Sequence, residues 1–377
     1  MRILIVSGIW PPDVGGPASH APEAADELRR RGHTVEVVVT ADAAPGERPY
    51  PVHWVSRRIP IGLRHLETAR LVRQAARRAD VVYSTGMVGR SGLGASLAGV
   101  PVVQKLTGDP VYERSLRYSL AEEDIAGFQG AGGARVRVLR ALRDAALRRA
   151  AHVVCPSSAL RELALGWGLA PERVTVLPNP VAPPPDLPPR DELRRRHGLD
   201  GPTLAFAGRL TAVKSLDVTL AAVERNEGVS LVLAGDGPSG DELRALAASL
   251  SLDGRARFLG AQPRQAVFEL LAAADAAVLS SSWENFPHMV VEALAVGTPV
   301  LASAVGGVNE IVRDGENGLL VPTGDVEALA EAIRRFFGDA ELRARLRERA
   351  RGSVDAYAPG RIYDRLESIL AAAAGSA

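Results

Sequence analysis

The sequence predicts an α/β protein with two domains, each built on a doubly wound parallel sheet. Short apolar runs alternate with amphipathic helical segments along the 377 residues, and such alternation favours parallel strands joined by helices. The length exceeds what one hydrophobic core usually serves, and Val181–Arg190, which contains five prolines, has the composition of a stiff linker. We expect a first domain at 1–181, a linker at 182–190, a second domain at 191–358 and a tail helix at 359–377 packed back on the first domain.

The first half contains seven predicted strands, because each run is short, apolar and bounded by turn residues. They are Arg2–Trp10, Thr34–Thr40, Val52–Ser56, Val81–Thr85, Pro101–Leu106, His152–Pro156 and Val174–Leu177. Amphipathic spacing predicts helices at Ala18–Arg31, Arg64–Arg78 and Arg135–Arg149. Ligands of such sheets bind at the carboxyl ends of the strands.

The second half repeats this pattern with six predicted strands, at Thr203–Ala207, Ser230–Ala234, Arg257–Leu259, Ala276–Leu279, Pro299–Ser303 and Asn317–Pro322. Predicted helices cover Lys214–Glu224, Asp241–Ser249, Asn309–Val312, Val326–Phe337 and Ala340–Arg351. Another helix begins at Pro287, which suits a first helical turn because its missing N–H costs nothing there, and Gly297 ends it. Two such domains make a cleft between them the expected active site.

Bulk composition excludes several classes of protein. The single cysteine, Cys155, excludes an internal disulfide and a cysteine metal cluster, and no apolar run is long enough to span a bilayer. The amino terminus has the pattern of a strand and lacks the form of a secretory signal, so we expect a cytoplasmic protein. We expect no metal, since no cluster of Asp, His or Cys has evident ligand spacing, and no nucleic-acid partner.

The net charge of +1 conceals an asymmetry between the two halves. Residues 1–185 hold 24 Lys and Arg against 17 Asp and Glu, or +7, and the remainder holds 21 against 27, or −6. A basic first half can face an anionic acceptor or an anionic membrane surface, or its charges can simply be solvated. The basic stretch Arg135–Arg149 leaves the same choice, because its apolar residues can face either lipid or the core.

The stretch from Ser280 to Pro299 contains the most informative residues. Glu284 lies in a predicted strand-to-helix loop, and Glu292 lies on the next helix, four residues after His288 and on the same face. Backbone N–H groups at the start of that helix can bind an anion. Carboxylates beside an anion site favour a ligand with both phosphate and hydroxyl groups, such as a nucleotide-sugar, although two solvated glutamates on an ordinary βα unit have the same spacing.

Only two of the 45 basic residues are lysines, Lys105 and Lys214. Because arginine does not replace a compact ammonium, a retained lysine points to a specific role, unless it survives by chance. Lys214 opens a predicted helix soon after Arg209, and two cations at a strand end can clamp a diphosphate and stabilise it as it leaves. Lys105 begins a loop that ends at Asp109, and this loop either opens onto the cleft or merely caps the strand.

Two glycine-containing turns follow predicted strands and let a ligand approach the backbone closely. Gly15–Gly16 lies in the first half and lacks the spacing of a dinucleotide fingerprint or a P-loop. Gly235–Asp236–Gly237 lies in the second half, where an ordinary tight turn explains it equally well.

Together these residues resemble the retaining glycosyltransferases of family 4, which have the GT-B fold of two Rossmann-like domains. The resemblance covers nearly the whole chain and is strongest at about 203–325. It rests on the E-x7-E spacing of Glu284 and Glu292, followed by Gly297–Thr298–Pro299. The other matching residues are Gly208–Arg209–Leu210, Lys214, Gly235–Asp236–Gly237, Gly306–Gly307, Glu310, Asn317–Gly318–Leu319, Pro11–Pro12, Gly15–Gly16, His20 and Arg31–Gly32–His33.

The resemblance implies transfer of a sugar from a nucleotide-diphosphate sugar to a hydroxyl acceptor, with retention and without a cofactor or essential metal. The implied donor-binding residues are Gly16, Arg209, Lys214, Asp236, Gly237, Glu284, Phe286, His288, Met289 and Glu292. Among these, Arg209 and Lys214 would hold the diphosphate, Glu284 the sugar and Glu292 the ribose. The acceptor side would comprise Gly15, His20, Lys105 and Asp109, and the candidate catalytic residues are Arg209, Lys214, Glu284 and Asp109.

This chain departs from the family pattern at two places. Many relatives carry Gly-Phe-Gly where this chain has Asn285–Phe286–Pro287, and Pro287 lacks an N–H that could bind phosphate. Many also carry a histidine in the loop that corresponds to Thr107–Gly108–Asp109, so Asp109 is a candidate polar contact or base. The alternative functions are a GT-B protein that is not a transferase, such as a sugar-nucleotide epimerase, or an inactive sugar-nucleotide binding protein. UDP, GDP and ADP donors all stay open.

Overall fold

A computed structural model describes residues 1–11, 13, 16–117, 125–130 and 132–375. The chain divides into two compact units, which we call the first unit and the second unit. The first unit comprises Met1–Asn179 with Gly360–Ala377, and the second comprises Pro180–Pro359.

The first unit contains a seven-stranded sheet with the order β3-β2-β1-β4-β5-β6-β7, and all its described pairings are parallel. Its strands are β1 (Arg2–Ser7), β2 (Thr34–Ala41), β3 (Val52–Ser56), β4 (Val81–Thr85), β5 (Val102–Lys105), β6 (His152–Cys155) and β7 (Val174–Val176). Its helices are α1 (Gly16–Arg30), α2 (Ile61–Ala76), α3 (Val88–Ser96), α4 (Pro110–Arg117), α5 (Ile125–Phe128), α6 (Ala134–Arg148) and α7 (Ser158–Gly166), with a 3₁₀ turn at Pro171–Arg173.

The second unit contains a six-stranded parallel sheet with the order β10-β9-β8-β11-β12-β13. Its strands are β8 (Thr203–Ala207), β9 (Ser230–Ala234), β10 (Ala256–Gly260), β11 (Ala276–Leu279), β12 (Val300–Ser303) and β13 (Gly318–Val321). Its helices are α8 (Arg190–His197), α9 (Leu216–Glu224), α10 (Gly240–Ser249), α11 (Arg264–Ala273), α12 (His288–Ala295), α13 (Val308–Ile311), α14 (Val326–Gly338) and α15 (Ala340–Ala350), with 3₁₀ turns at Ala212–Lys214 and Arg351–Tyr357.

The last helix, α16 (Pro359–Gly375), packs against the first unit. Its buried residues Tyr363 and Leu366 lie in the same core as Leu28 of α1. At the surface, Arg31 Nη1 pairs with Asp364 at 2.6 Å, and Glu367 accepts from Arg31 at 3.1 Å. Apolar burial and charge pairing therefore both attach the end of the chain to the first unit.

The central strands of both sheets are buried because helices cover both of their faces, which is typical of parallel sheets, whereas the edge strands β3 and β10 are only partly buried. In β1 the side chains of Ile3, Leu4, Ile5 and Val6 are at most 1% exposed. In β11 the four residues from Ala276 to Leu279 are at most 2% exposed. Continuous apolar runs of this kind are the pattern from which the strands were predicted.

Several predicted element boundaries shift by one or more residues in the structure, and two of these corrections have a clear local cause. The first strand ends at Ser7 and not at Trp10, because the Ser7 hydroxyl donates to the Ile9 carbonyl at 2.7 Å and turns the chain. The helix predicted from Lys214 begins at Leu216. Ser215 has a φ of 44°, in the left-handed region, and this conformation separates the 3₁₀ turn that ends at Lys214 from α9.

The proline-rich segment predicted as a linker packs within the second unit. Val181 is 7% exposed, and its N–H donates to the Tyr357 carbonyl at 3.0 Å. Residues 181–187 line a cavity of about 530 Å³ together with Val291 and Val354. The proline-rich segment therefore forms one wall of this cavity in the second unit.

Candidate functional site

The candidate donor site lies at the carboxyl edge of the second sheet. Strand β8 lies between β9 and β11, so the strand order reverses on either side of it. In open α/β sheets, ligands bind outside the carboxyl ends of the strands at such a reversal. The loops after β8, β9, β11 and β12 carry the glycines, the cations and the first glutamate that the sequence singled out.

Lys214 and Glu284 form an ion pair at this edge. Lys214 Nζ lies 2.5 Å from Glu284 Oε1, and the Ser281 hydroxyl donates to the same oxygen at 2.6 Å. The Glu284 side chain is 10% exposed, whereas that of Lys214 is 23% exposed. The structure thus holds a partly exposed ammonium and a nearly buried carboxylate in contact, and the carboxylate keeps capacity for further donors.

Hydroxyl groups attach the Lys214 loop to the end of β11. The Ser280 hydroxyl donates to the Ser215 carbonyl at 2.7 Å and also lies 2.7 Å from Thr219 Oγ1. The Ser282 N–H donates to the Val213 carbonyl at 2.9 Å. These bonds fix the backbone on both sides of Lys214, so the position of its side chain is set in advance.

A glycine pair holds the backbone of Glu284 from the other side. The Gly307 N–H donates to the Glu284 carbonyl at 2.9 Å. Gly306 has a φ of 44°, and a Cβ there would lie 2.0 Å from the same carbonyl oxygen. Only glycine therefore fits at 306 without moving Glu284.

The turns after β8 and β9 also meet through glycine. A Cβ on Gly235 would lie 1.8 Å from the Gly208 carbonyl oxygen, and a Cβ on Gly237 would lie 2.3 Å from that of Leu210. This close contact leaves Arg209 exposed, and it has no salt-bridge partner among the residues that the structure describes. The Asp236 carboxylate accepts from the Gly237 N–H at 2.7 Å, which is the bond of a tight turn.

The helix α12 begins one residue after Pro287, which occupies the N-cap position and not the first helical turn. Phe286 is 8% exposed and packs edge-on against His288, with ring centroids 5.4 Å apart. Met289 is buried. Glu292 Oε1 lies 3.4 Å from Arg264 Nη2 of α11, so Glu292 is held beside a cation at this edge.

In the first unit, Lys105 ends β5 and its side chain is buried. Lys105 is 2% exposed, and its Nζ has no hydrogen-bond partner among the described residues. Burial lowers the pKa of Lys105 to about 7, and nearby Cys155 opposes this shift. Burial likewise raises the pKa of the Cys155 thiol to about 12. Burial has this effect because it disfavours the charged form of an amine, so Lys105 loses its proton far more readily than an exposed lysine does.

The predicted acceptor-side residue His20 and the predicted donor-binding residue Gly16 both belong to α1. His20 is 6% exposed, and its Nε2 lies 3.0 Å from the Tyr83 hydroxyl. Gly16 is the first residue of α1. Gly15 lies outside the described residues. The part of His20 and Gly16 in binding an acceptor or donor stays a prediction.

The structure corrects the interpretation of Asp109 as a candidate catalytic residue and acceptor contact. Asp109 is 0% exposed. One carboxylate oxygen accepts from Arg143 Nη1 at 2.8 Å and from the Val111 N–H at 2.9 Å, and the other accepts from Gln129 Nε2 at 3.1 Å. A carboxylate with these partners and no exposed surface is a structural group that joins α4 and α6 to Gln129, the residue after α5.

Sequence reasoning did not assign two side chains that hold this network and the donor site. Arg143 of α6, whose Cζ lies 3.7 Å from the centre of the Trp167 ring, neutralises Asp109. Ser281 anchors Glu284. The placement of Ser281 three residues before Glu284 was an available signal for that contact, whereas no local pattern indicated the pairing of Asp109 with Arg143.

Within the described ranges, no group of three or more His, Cys, Asp or Glu residues could hold a metal ion.

In the described part of the chain, no helix is both long enough and apolar enough to cross a membrane.

Solved structures share this fold over nearly the whole chain. HepE of Anabaena in complex with UDP is 22% identical, with a TM-score of 0.82 and coverage of 99% of this chain and 100% of HepE. Sucrose-phosphate synthase from Thermosynechococcus elongatus is 20% identical, with a TM-score of 0.79 and full coverage of both chains. The predicted fold class is confirmed, because these neighbours define the GT-B architecture.

The family follows from the sequence comparisons. Residues 189–353 match the family model of glycosyl transferases group 1, and residues 15–180 match that of a glycosyl transferase 4-like domain. A D-inositol 3-phosphate glycosyltransferase from Actinosynnema mirum is 32% identical over 97% of this chain and 93% of that protein. The chain belongs to the glycosyl transferases group 1 family, as predicted, and is a glycosyltransferase.

A second relative matches over a shorter length. The lipopolysaccharide core biosynthesis glycosyltransferase LpsE of Rhizobium meliloti is 43% identical over 150 residues. This alignment covers 40% of the present chain and 44% of LpsE, so it spans less than half of that relative.

Proposed function

We propose that this glycosyltransferase moves a sugar from a nucleotide-diphosphate sugar to a hydroxyl acceptor with retention of the anomeric configuration. The observation that carries the proposal is the contact of Lys214 with Glu284 at the carboxyl edge of the second sheet, where they lie 2.5 Å apart. A fixed cation and a fixed carboxylate suit a ligand with a diphosphate beside sugar hydroxyls.

Each group has a defined task in this proposal. Lys214 and the exposed Arg209 bind the diphosphate and stabilise the negative charge that develops on it as the C1–O bond breaks. Glu284 accepts hydrogen bonds from donor sugar hydroxyls, and Glu292 accepts from the ribose. The acceptor oxygen forms its bond to C1 on the face that the diphosphate leaves, and the acceptor proton passes to a phosphate oxygen.

This assignment differs from the sequence-based one at Asp109, whose burial leaves no carboxylate of that residue for the acceptor. It also predicts turnover without a divalent metal, since two cationic side chains balance the diphosphate charge. Adding EDTA should therefore leave the rate unchanged. A rate lost to EDTA and restored by Mg²⁺ would contradict this part of the proposal.

The donor is identified by thermal unfolding with UDP, GDP, ADP and their common sugar conjugates. A nucleotide at about 100 times its dissociation constant adds roughly 2.7 kcal/mol of stability, which gives a measurable shift. UDP and UDP-glucose are the first choices, because HepE has been solved with both.

The transfer itself is tested by incubating that donor with hydroxyl acceptors and determining the anomeric configuration of the product by NMR. The expected product is a glycoside with the configuration of the donor, formed with wild-type protein and about 10²–10³ times more slowly with Lys214→Ala. An inverted glycoside would contradict retention. An epimerised sugar-nucleotide formed without an acceptor would show that the chain is not a transferase for this donor.

A further inference from the structure

The exposed apolar side chains of this protein are concentrated on three helices of the first unit. Eight large hydrophobic residues are exposed among those described, and only Trp54 lies elsewhere. The other seven, between 51% and 69% exposed, are Ile61, Leu63 and Leu66 of α2, Leu93 of α3 with Leu97 at its C-cap, and Val138 and Leu142 of α6. Concentrations of this kind mark interaction surfaces, whereas singly scattered apolar residues do not.

These three helices form one layer. Helix α3 contacts both α2 and α6. It packs so closely on α2 that a Cβ on Gly94 would lie 2.7 Å from the Ala69 carbonyl oxygen. On α3 and α6 the exposed apolar residues are four positions apart, so each pair shares one face of its helix. We call the outer side of this layer the α2–α3–α6 surface.

The α2–α3–α6 surface is strongly basic. The three helices contain nine arginines and two acidic residues, Glu67 and Asp144, a net charge of +7. Asp144 already pairs with Arg143 at 2.8 Å. Exposed arginines such as Arg70 and Arg137 lie among the exposed leucines and valine.

Side chains within the layer also show an excess of positive charge. Arg64 Nε and Arg90 Nη1 are buried and have no hydrogen-bond partner among the described residues. Burial and the charges of Arg64 and Arg57 lower the pKa of Arg90 to about 10. Burial, Arg90 and Arg64 likewise lower the pKa of His65. Guanidinium groups crowded in this way are stabilised by an external anion.

We infer that the α2–α3–α6 surface docks on a bilayer that contains anionic phospholipid. Leucine side chains enter the interface while arginines contact phosphate groups, the combination that binds proteins to the surface of anionic membranes. A second copy of the chain fits less well, because a twofold contact through this surface would bring the exposed arginines Arg70, Arg73, Arg135, Arg137 and Arg148 of both copies together, with only Glu67 as an exposed acidic residue on these helices. The inference is independent of the transfer reaction, since it concerns binding alone.

The test is flotation of the purified full chain with vesicles of phosphatidylglycerol and phosphatidylcholine, compared with pure phosphatidylcholine. We expect binding to the mixed vesicles that weakens as salt is added. Arg70→Glu with Arg137→Glu should lower the partition coefficient at least about 30-fold, given the contribution of each arginine near an anionic surface. Leu66→Ser, Leu93→Ser and Leu142→Ser together should lower it at least about 100-fold.

Matched variants control for charge and for apolar area. Arg345→Glu with Arg349→Glu alters two exposed arginines of α15 in the second unit, and Trp54→Ser removes the exposed apolar side chain outside the surface. Both should bind vesicles like the wild type, and thermal unfolding checks that all variants fold.

Three outcomes would overturn the inference. The first is equal binding of the wild type to both kinds of vesicle. The second is binding by the leucine variant that equals that of the wild type, which would leave only nonspecific charge attraction. The third is a wild-type dimer that the leucine variant abolishes while neither protein binds vesicles, which would assign the surface to a second copy.

Discussion

Replacing Asp109 shows whether its carboxylate is a structural group or a chemical one. In the structure, Asp109 is fully buried and neutralises Arg143, whose side chain is 4% exposed. Asp109→Ala leaves that guanidinium buried with one carboxylate, Asp144, where it had two. It also removes the side-chain acceptor of the Val111 N–H and one of the two acceptors of the Gln129 amide, which keeps its bond to the Ile125 carbonyl.

The expected loss follows from these contacts. Removing one partner of a buried ion pair costs about 3–5 kcal/mol. Asp144 stays 2.8 Å from Arg143 Nε, and the Trp167 ring still covers the guanidinium, so we expect about 3 kcal/mol. With a urea dependence of about 2 kcal/mol/M, the midpoint for unfolding of the first unit should fall by about 1.5 M.

The assay is urea unfolding followed by tryptophan fluorescence, with turnover measured on the same preparations. Asp144→Ala is the matched control, because it removes the partly exposed partner of the same guanidinium and should shift the midpoint less. Asp109→Leu with Arg143→Met removes both buried charges and should recover part of the loss. The reasoning is refuted if Asp109→Ala keeps the wild-type midpoint and yet loses turnover as severely as Lys214→Ala.

Three further changes test the donor site and the buried lysine. Lys214→Arg should recover little of the turnover lost in Lys214→Ala, because a guanidinium does not fit where a compact ammonium meets Glu284; near-normal rates would contradict this. Gly306→Ala should lower turnover by displacing Glu284, whereas Gly315→Ala, which has a φ of 72° and open space around its Cβ position, should not; equal losses would point to backbone strain alone. Lys105 has a folded pKa of about 7 against an ordinary 10.5, so its protonation opposes folding fully below pH 7, and this penalty disappears as pH rises towards 10.5. Lys105→Met should therefore raise the urea midpoint at pH 6 by more than at pH 9, and a pH-independent difference would contradict the assigned pKa.

Much of the fold could be predicted because parallel strands are buried on both faces. Such strands appear as continuous apolar runs, and four of them, β4, β8, β9 and β11, have the predicted bounds. The partly buried edge strand β3 also has its predicted bounds. The first strand was predicted too long because Trp10 is apolar and buried, although it follows a turn. A buried apolar residue within a sheet usually belongs to a strand, whereas one just beyond the end of a strand, such as Trp10, can be buried without strand conformation.

The donor site was predicted in its members but not in its contacts. Lys214 and Glu284 were given separate tasks, and the structure shows that they also contact each other across 70 positions of the sequence. The number of residues between two loops does not indicate how far apart they lie in space when they follow different strands. The sequence does place a glycine at 306, and the structure shows that no other residue fits there. A Cβ at that position would lie 2.0 Å from the Glu284 carbonyl oxygen.

Helix α6 explains why the basic stretch left two interpretations open. Its apolar residues were expected to face either lipid or the core, and they do not all face the same way: Leu147 is 1% exposed and Leu142 is 63% exposed. Its arginines divide similarly, because Arg143 is buried against Asp109 while Arg137 is exposed. The buried residues Val136, Arg143 and Leu147 share one face of the helix, and an arginine can lie on that face because the tertiary fold supplies Asp109 as its partner. Asp109 and Trp167 bind Arg143 in the interior, whereas the exposed side of α6 carries both charged and apolar side chains, such as Arg137 and Leu142.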